Sequence, residues 1–315
     1  MQRLIIIQLF CLFQIVGIGQ TVELISSDNS DLPENDIWSI EVDSTGTKWF
    51  GTAKSGLIAY RNGEFKIYND STSNFRGSYI GPLFSDSKNK LWITAAKPNA
   101  LYVFENDTFI KIENDILKSL GSIIAIAENE YGVIYFGGSN GVIKFESDKW
   151  TKLSLPLKNI TVRTLAVNKK GDLAIGLNEG LIIRKENDFK VYKANDNELQ
   201  LSVVRGLKYI DNDKLIIGYG GGFGKGGFSI KEGKKWTHYN RENSKIANHM
   251  VRDIEVDSEN TFWMATNEGL SYYKEGNVDT AFFREGRMKN TIMDVAIFKD
   301  EIWVATNFGI IQIKK

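Results

Sequence analysis

Apolar and polar residues alternate along this chain in short bursts, each closed by a cluster of Gly, Asn, Asp or Ser. Val251-Arg252-Asp253-Ile254-Glu255-Val256 has the alternation of a half-buried strand. Asp257-Ser258-Glu259-Asn260 follows with turn chemistry, and Thr261 to Thr266 is rich in β-branched and aromatic residues that suit a second strand. Asn267-Glu268-Gly269 turns the chain again, Leu270 to Tyr273 predicts a third strand, Glu275-Gly276-Asn277 another turn, and Val278 to Phe283 a fourth strand. No stretch after residue 20 keeps an amphipathic helical period long enough to compete, which argues against a helical repeat.

The unit recurs. Its second strand is marked by Trp49-Phe50-Gly51-Thr52, Trp92-Ile93-Thr94, Tyr135-Phe136-Gly137-Gly138, Ala174-Ile175-Gly176, Ile216-Ile217-Gly218, Trp263-Met264-Ala265-Thr266 and Trp303-Val304-Ala305-Thr306, spaced 39 to 47 residues apart. Four short strands per repeat at this spacing predict the blades of an all-β, seven-bladed propeller. The seventh repeat stops after its third strand, Ile310-Ile311-Gln312-Ile313. The segment from Ile25 to Ile37 aligns with Tyr239 to Val251, so the N-terminal strand is expected to complete the last blade and close the ring, leaving no open edge for aggregation.

Composition narrows the setting. Lys plus Arg and Asp plus Glu number 39 each, which gives no basic excess for a nucleic-acid surface and no attraction to a membrane surface. Residues 1–19 read as a signal peptide: Arg3 supplies a positive charge, Leu4 to Ile18 is mostly apolar, and Gly17-Ile18-Gly19 offers small residues for cleavage. The mature domain is then 20–315, periplasmic or secreted, with no membrane span after cleavage. Cys11 is the single cysteine, so cysteine chemistry is excluded from the mature chain.

The wording Leu32-Pro33-Glu34-Asn35-Asp36-Ile37, followed by Ile40-Glu41-Val42-Asp43-Ser44-Thr45-Gly46-Thr47-Lys48-Trp49-Phe50-Gly51-Thr52 and Ser55-Gly56-Leu57-Ile58-Ala59-Tyr60, resembles the two-component regulator propeller repeat. It covers about residues 22 to 315 and weakens in blades four and five, where Ala174 and Ile216 replace Trp49. The resemblance implies the sensor region of a hybrid histidine kinase, in which a ligand, often an oligosaccharide, controls signalling. This sequence ends within the last blade, so the resemblance implies sensing or binding without kinase activity, as a free exported module or in trans on a partner protein.

The repeat phase allows equivalent positions to be compared. One residue after the apolar start of each inner strand stand Trp38, Gly81, Ile124, Arg163, Arg205, Arg252 and Met293; the next position adds Asp253 and Asp294. Three successive blades would place an arginine arc at one mouth of the central channel, with Trp38 across the ring, fit for an anionic or polyhydroxylated ligand. The same residues could instead pack between blades, with the arginine stems covering apolar surface. Blade five carries the long loop Gly218 to Gly227, a possible flap in which Tyr219 and Phe223 would touch a ligand, or simply a long hairpin. Its glycines do not make a phosphate loop, because no helix follows and Gly226 stands after Lys225 where a Walker loop needs Ser or Thr.

His238 and His249 are the only histidines, on an outer strand and in a loop, and supply no metal site; no cofactor is expected. Asp43, Asp86 and Asp257 recur before the second strand and read as turn caps. A second functional reading remains, a propeller enzyme similar to streptogramin lyases or lactonases, for which His249 is the one histidine placed near the channel mouth.

Overall fold

In the computed structural model, residues 21–194, 198–221, 226–282 and 291–315 are described. Seven four-stranded antiparallel sheets follow one another round a central axis, and their inner strands pack side by side. These inner strands are Ile37–Val42, Ser78–Ser85, Ile123–Glu128, Val162–Val167, Val204–Tyr209, Val251–Val256 and Ile292–Phe298 for blades one to seven. The last sheet combines the three C-terminal strands with Thr21–Ile25, whose Thr21 and Ile25 face Lys314 and Ile310. The N-terminal strand thus completes blade seven as the sequence predicts. The signal-peptide segment lies outside the described residues.

The core is a set of wedges between neighbouring blades. Trp49 and Leu57 of blade one pack with Ile80 and Ile93 of blade two, and Trp303 and Ile310 of blade seven pack with Ile37 and Phe50 of blade one. The repeated glycine in the second strand has its cause in this stacking. A Cβ at Gly137 would lie 2.5 Å from Val162 Cγ1, and one at Gly218 would lie 2.7 Å from Val251 Cγ1. Each glycine therefore admits the first apolar residue of the next blade's inner strand. In blades six and seven Ala265 and Ala305 hold that position.

The repeated tryptophan has a cause as well. Asp43, Asp86 and Asp257 each accept two backbone N–H groups of their own turn through Oδ1, while Oδ2 accepts the indole Nε1–H of Trp49, Trp92 or Trp263 at 2.8 to 2.9 Å. In blades three and four, where Tyr135 and Ala174 replace the tryptophan, Asn129 and Asn168 hold the same turns. In blade five both members are apolar, Ile210 and Ile216. In blade seven that turn position is Ile297 and the Trp303 indole donates to Glu301 Oε2 at 3.0 Å instead, so each of these buried indole N–H groups still finds a carboxylate.

Candidate functional site

Each inner strand breaks its pairing with the second strand just after its start. The register slips between Ile37 and Ser39, Ile123 and Ala125, Val162 and Thr164, Val204 and Gly206, Val251 and Asp253, and Ile292 and Asp294. The skipped residues are Trp38, Ile124, Arg163, Arg205, Arg252 and Met293. A bulge re-aims a side chain that regular pleating would send into the packed face, and these six, with Gly81, line a central cavity of about 640 Å³. Blade two bulges over a longer stretch, Ile80 to Leu83, and there Tyr79 takes a left-handed backbone (φ 57°) and sets its ring 4.9 Å from that of Trp38.

The mouth is divided by chemistry. Blades four to six contribute three arginines. Arg163 Nε donates to Asn178 Oδ1 at 2.7 Å and Arg252 Nε to Asn267 Oδ1 at 2.8 Å, the asparagines coming from the turn between second and third strands of the same blade. Blade five has no such asparagine, and the Arg205 stem folds against the backbone of Gly220, where a Cβ would fall 2.1 Å from Arg205 Cδ. Arg205 Nε is buried without a partner. Among the described residues none of the three guanidinium groups is in a salt bridge. Burial, and then the charges of Arg163 and Arg252, hold Arg205 below the ordinary arginine range. Trp38, Tyr79, Ile124 and Met293 complete the ring as an apolar arc, in which Trp38 Nε1 is also buried without a partner.

One residue deeper, Asp253 and Asp294 meet on blades six and seven. They converge on one donor, with Val295 N–H 3.3 Å from Asp253 Oδ2 and 3.1 Å from Asp294 Oδ1, and Asp294 Oδ2 accepts Ile40 N–H at 2.9 Å. Burial first, then the neighbouring Asp253 charge, pushes Asp294 well above the usual carboxylate range. Two residues further along the strands come Glu41, Lys208 and Glu255. Lys208 Nζ donates to Glu255 Oε1 at 2.7 Å. Burial, reinforced by the Glu255 charge and opposed by Lys208, raises Glu41 to about 8.

Of the residues singled out in the sequence, Trp38, Arg163, Arg205, Arg252, Asp253 and Asp294 come together in one cavity. Tyr219 does not join them. Its side chain is 0% exposed in the core between blades four and five, its hydroxyl 2.8 Å from Ser229 Oγ. The expectation of a flap residue fails there because the second strand, Lys214–Tyr219, runs two residues into the segment read as a loop. Phe223 lies outside the described residues. Sequence comparison missed Tyr79, hidden by the irregular bulge around Pro82, and the Glu41, Lys208 and Glu255 tier, which the same repeat alignment carried two positions further would have found. His238 Nδ1 is 2.7 Å from Ser229 Oγ, but that serine is 0% exposed, so the pair is unavailable to a substrate. No histidine lines the cavity, and among the described residues no cluster of three acidic, His or Cys side chains could hold a metal.

No protein-family profile matches this chain, and no curated protein is similar to it in sequence. Its fold is found in solved structures. Virginiamycin B lyase from Staphylococcus aureus superposes with a TM-score of 0.75 over 94% of this chain and 100% of that one, at 14% identity. The extracellular domain of a hybrid two-component system from B. thetaiotaomicron gives 0.73 over 93% of this chain and 40% of that one, at 16% identity. PorZ, a surface component of the type-IX secretion system of Porphyromonas gingivalis, gives 0.67 over 93% and 48%, at 14% identity. At these identities the likeness shows the propeller fold and leaves function to the site. No helix among the described residues is long and apolar enough to cross a membrane.

Proposed function

We propose that this protein is an exported, non-catalytic binding propeller that takes a small anionic ligand at the arginine mouth of its channel, in a sensing role like that of the two-component extracellular domain. The observation that carries this reading is the arginine arc. Three guanidinium groups on successive blades lack any carboxylate partner among the described residues, and the two unpartnered buried groups beside the cavity, Trp38 Nε1 and Arg205 Nε, are both donors. Buried donors without acceptors are costly, about 1–3 kcal/mol each, unless something supplies the acceptor. A carboxylate, sulfate or phosphate meets that demand through charge-assisted bonds, while the Trp38 and Tyr79 rings offer a face for a sugar or another apolar group. The apolar start of the sequence supports export.

The lyase reading has the whole-length fold likeness in its favour. The lyase structure solved with quinupristin is a catalytically inactive histidine-to-alanine variant, whereas here the cavity lining contains no histidine. The binding reading therefore has the stronger support.

The test is calorimetry on the mature chain with acidic oligosaccharides and small carboxylates, each against its neutral analogue. Binding of the anionic members, weakened at least tenfold by Arg205→Ala and by Arg252→Ala, is the expected outcome. Equal binding of neutral analogues, with both variants unaffected, would remove the site.

A further inference from the structure

The arginines and the aspartates of the channel are neighbours that do not neutralise one another. Arg252 and Asp253 are consecutive, yet Arg252 turns to Asn267 at the mouth and Asp253 turns to Asp294 in the channel. The bulge produces this separation: it sends residue 252 outward and leaves residue 253 back in register with Ala265. Asp294, one blade on, is fixed through both oxygens by Ile40 N–H and Val295 N–H, and Val295 N–H also reaches Asp253 Oδ2, so the two carboxyl groups are held together in the cavity lining with Asp253 Oδ1 outside these backbone bonds. One strand step, about 3.3 Å, thus divides a basic ring position from an acidic one inside a single cavity. Opposite charges this close ordinarily pair with each other; here Arg163 and Arg252 are held by asparagines, Arg205 Nε has no partner among the described residues, and the aspartates are held by backbone N–H groups.

From this juxtaposition we infer that the ligand is a zwitterion carrying an apolar group, a free amino acid or a short peptide end, whose carboxylate takes the Arg163, Arg205 and Arg252 donors while its ammonium sits on Asp253 and Asp294. This rests on the anion-binding reading above and specifies it. The apolar group then lies against Trp38, Tyr79, Ile124 and Met293 on the opposite arc. In an amino acid the nitrogen and the carboxylate carbon are about 2.5 Å apart through two single bonds, a spacing that requires both charges to be met within one compact site, as this channel does.

The inference has a consequence in protons. Burial and the adjacent Asp253 charge favour the protonated form of Asp294 in the empty channel. The groups that face this pair are Arg252 on its own strand, Lys208 on blade five, Glu255 deeper on blade six and Glu41 on blade one. Lys208 donates to Glu255 and also feels the Asp253 charge, so its single positive charge is divided between the two tiers. An arriving ammonium replaces the Asp294 proton as the neutralising charge, and that proton leaves to solvent. Binding is then accompanied by proton release and strengthens as pH rises through the range in which the free pair holds its proton.

The experiment compares phenylalanine, N-acetylphenylalanine and phenylalaninamide by calorimetry on the mature chain in bis-Tris and in Tris, two cationic buffers with different ionisation enthalpies that bring no competing oxyanion. Phenylalanine is expected to bind at least tenfold more tightly than either derivative, with a buffer-dependent heat that reports proton release. Asp294→Asn, which keeps the acceptor for Ile40 N–H, is expected to abolish that heat difference and the preference over N-acetylphenylalanine. Equal or tighter binding of N-acetylphenylalanine to the unaltered chain overturns the zwitterion and leaves the anion site standing. Failure of all three, with the acidic sugars still bound, overturns it likewise; failure of every anion tried removes both readings.

Discussion

Two sets of carboxylates, at opposite ends of the same inner strands, show what the repeat fixes and what it leaves free. Asp43, Asp86 and Asp257 lie where the inner strand ends, and each is saturated by backbone N–H groups and an indole. Asp253, Asp294, Glu41 and Glu255 line the channel and face one another. The pKa directions follow the partners. Burial alone would raise Asp257, but Lys315, Trp263 and the Thr261 N–H outweigh it and bring it below its ordinary value. Glu41 and Asp294 lack such donors in sufficient number and are pushed up. The same residue type is thus a structural clamp at one end and a strained, proton-holding group at the other.

The largest effect is expected where the clamp holds a core residue. Trp263→Ala empties the wedge between blades six and seven and leaves Asp257 without its indole, and should cost about 3–5 kcal/mol in denaturant unfolding. Trp263→Phe, which keeps most of the packing and loses one hydrogen bond, should cost about 1 kcal/mol. If the two variants lose the same amount, the indole bond rather than packing decides this end of the blade.

A smaller effect of opposite sense is expected in the channel. Glu41 has a folded pKa of about 8 against an ordinary 4.5, so the native state holds a proton that the unfolded chain gives up. The associated stability is complete below the ordinary value and is lost as pH rises through about 8. Glu41→Gln should therefore flatten the fall in Tm across that window and leave the variant the more stable at its upper end. A Tm profile with the same slope as the unaltered chain would show that the channel carboxylates are not strained.

The smallest effect on stability belongs to the mouth. Arg205→Ala removes a buried donor that has no acceptor, and relief of that cost offsets the lost packing of the stem, so the unfolding free energy should not fall, although the variant lacks a central element of the proposed site. A loss as large as that of Trp263→Ala would mean that the arginine stem is packing between blades.

The ring was legible in the sequence because blade packing repeats. Trp49, Gly51 and their counterparts recur since every blade meets the next in the same way, and the N-terminal strand revealed itself by aligning with Tyr239 to Val251. The channel was legible only in part. The alignment reached Arg163, Arg205, Arg252 and the two aspartates through their phase in the repeat, but it could not show that the phase coincides with a bulge, which depends on pairing to the second strand. Tyr219 was misplaced for the same kind of reason: its neighbours are glycines, and nothing local distinguishes the end of a buried strand from the start of a loop. Tyr79 escaped because blade two alone stretches its bulge over Gly81 and Pro82, so the repeat offered no counterpart.

The pairing of Thr21–Ile25 with Gly309–Lys314 sets a schedule for folding. Six sheets are made from strands close together in sequence and can assemble as each stretch of chain becomes available. The seventh needs both extremes of the described chain at once, so ring closure is the step with the longest loop to close and the last to be possible during synthesis or translocation. Until then blade seven's three strands expose an unpaired edge, and a chain stalled before its final strand would carry an open, association-prone arc. Ring closure is therefore the step that removes the last open edge of the fold.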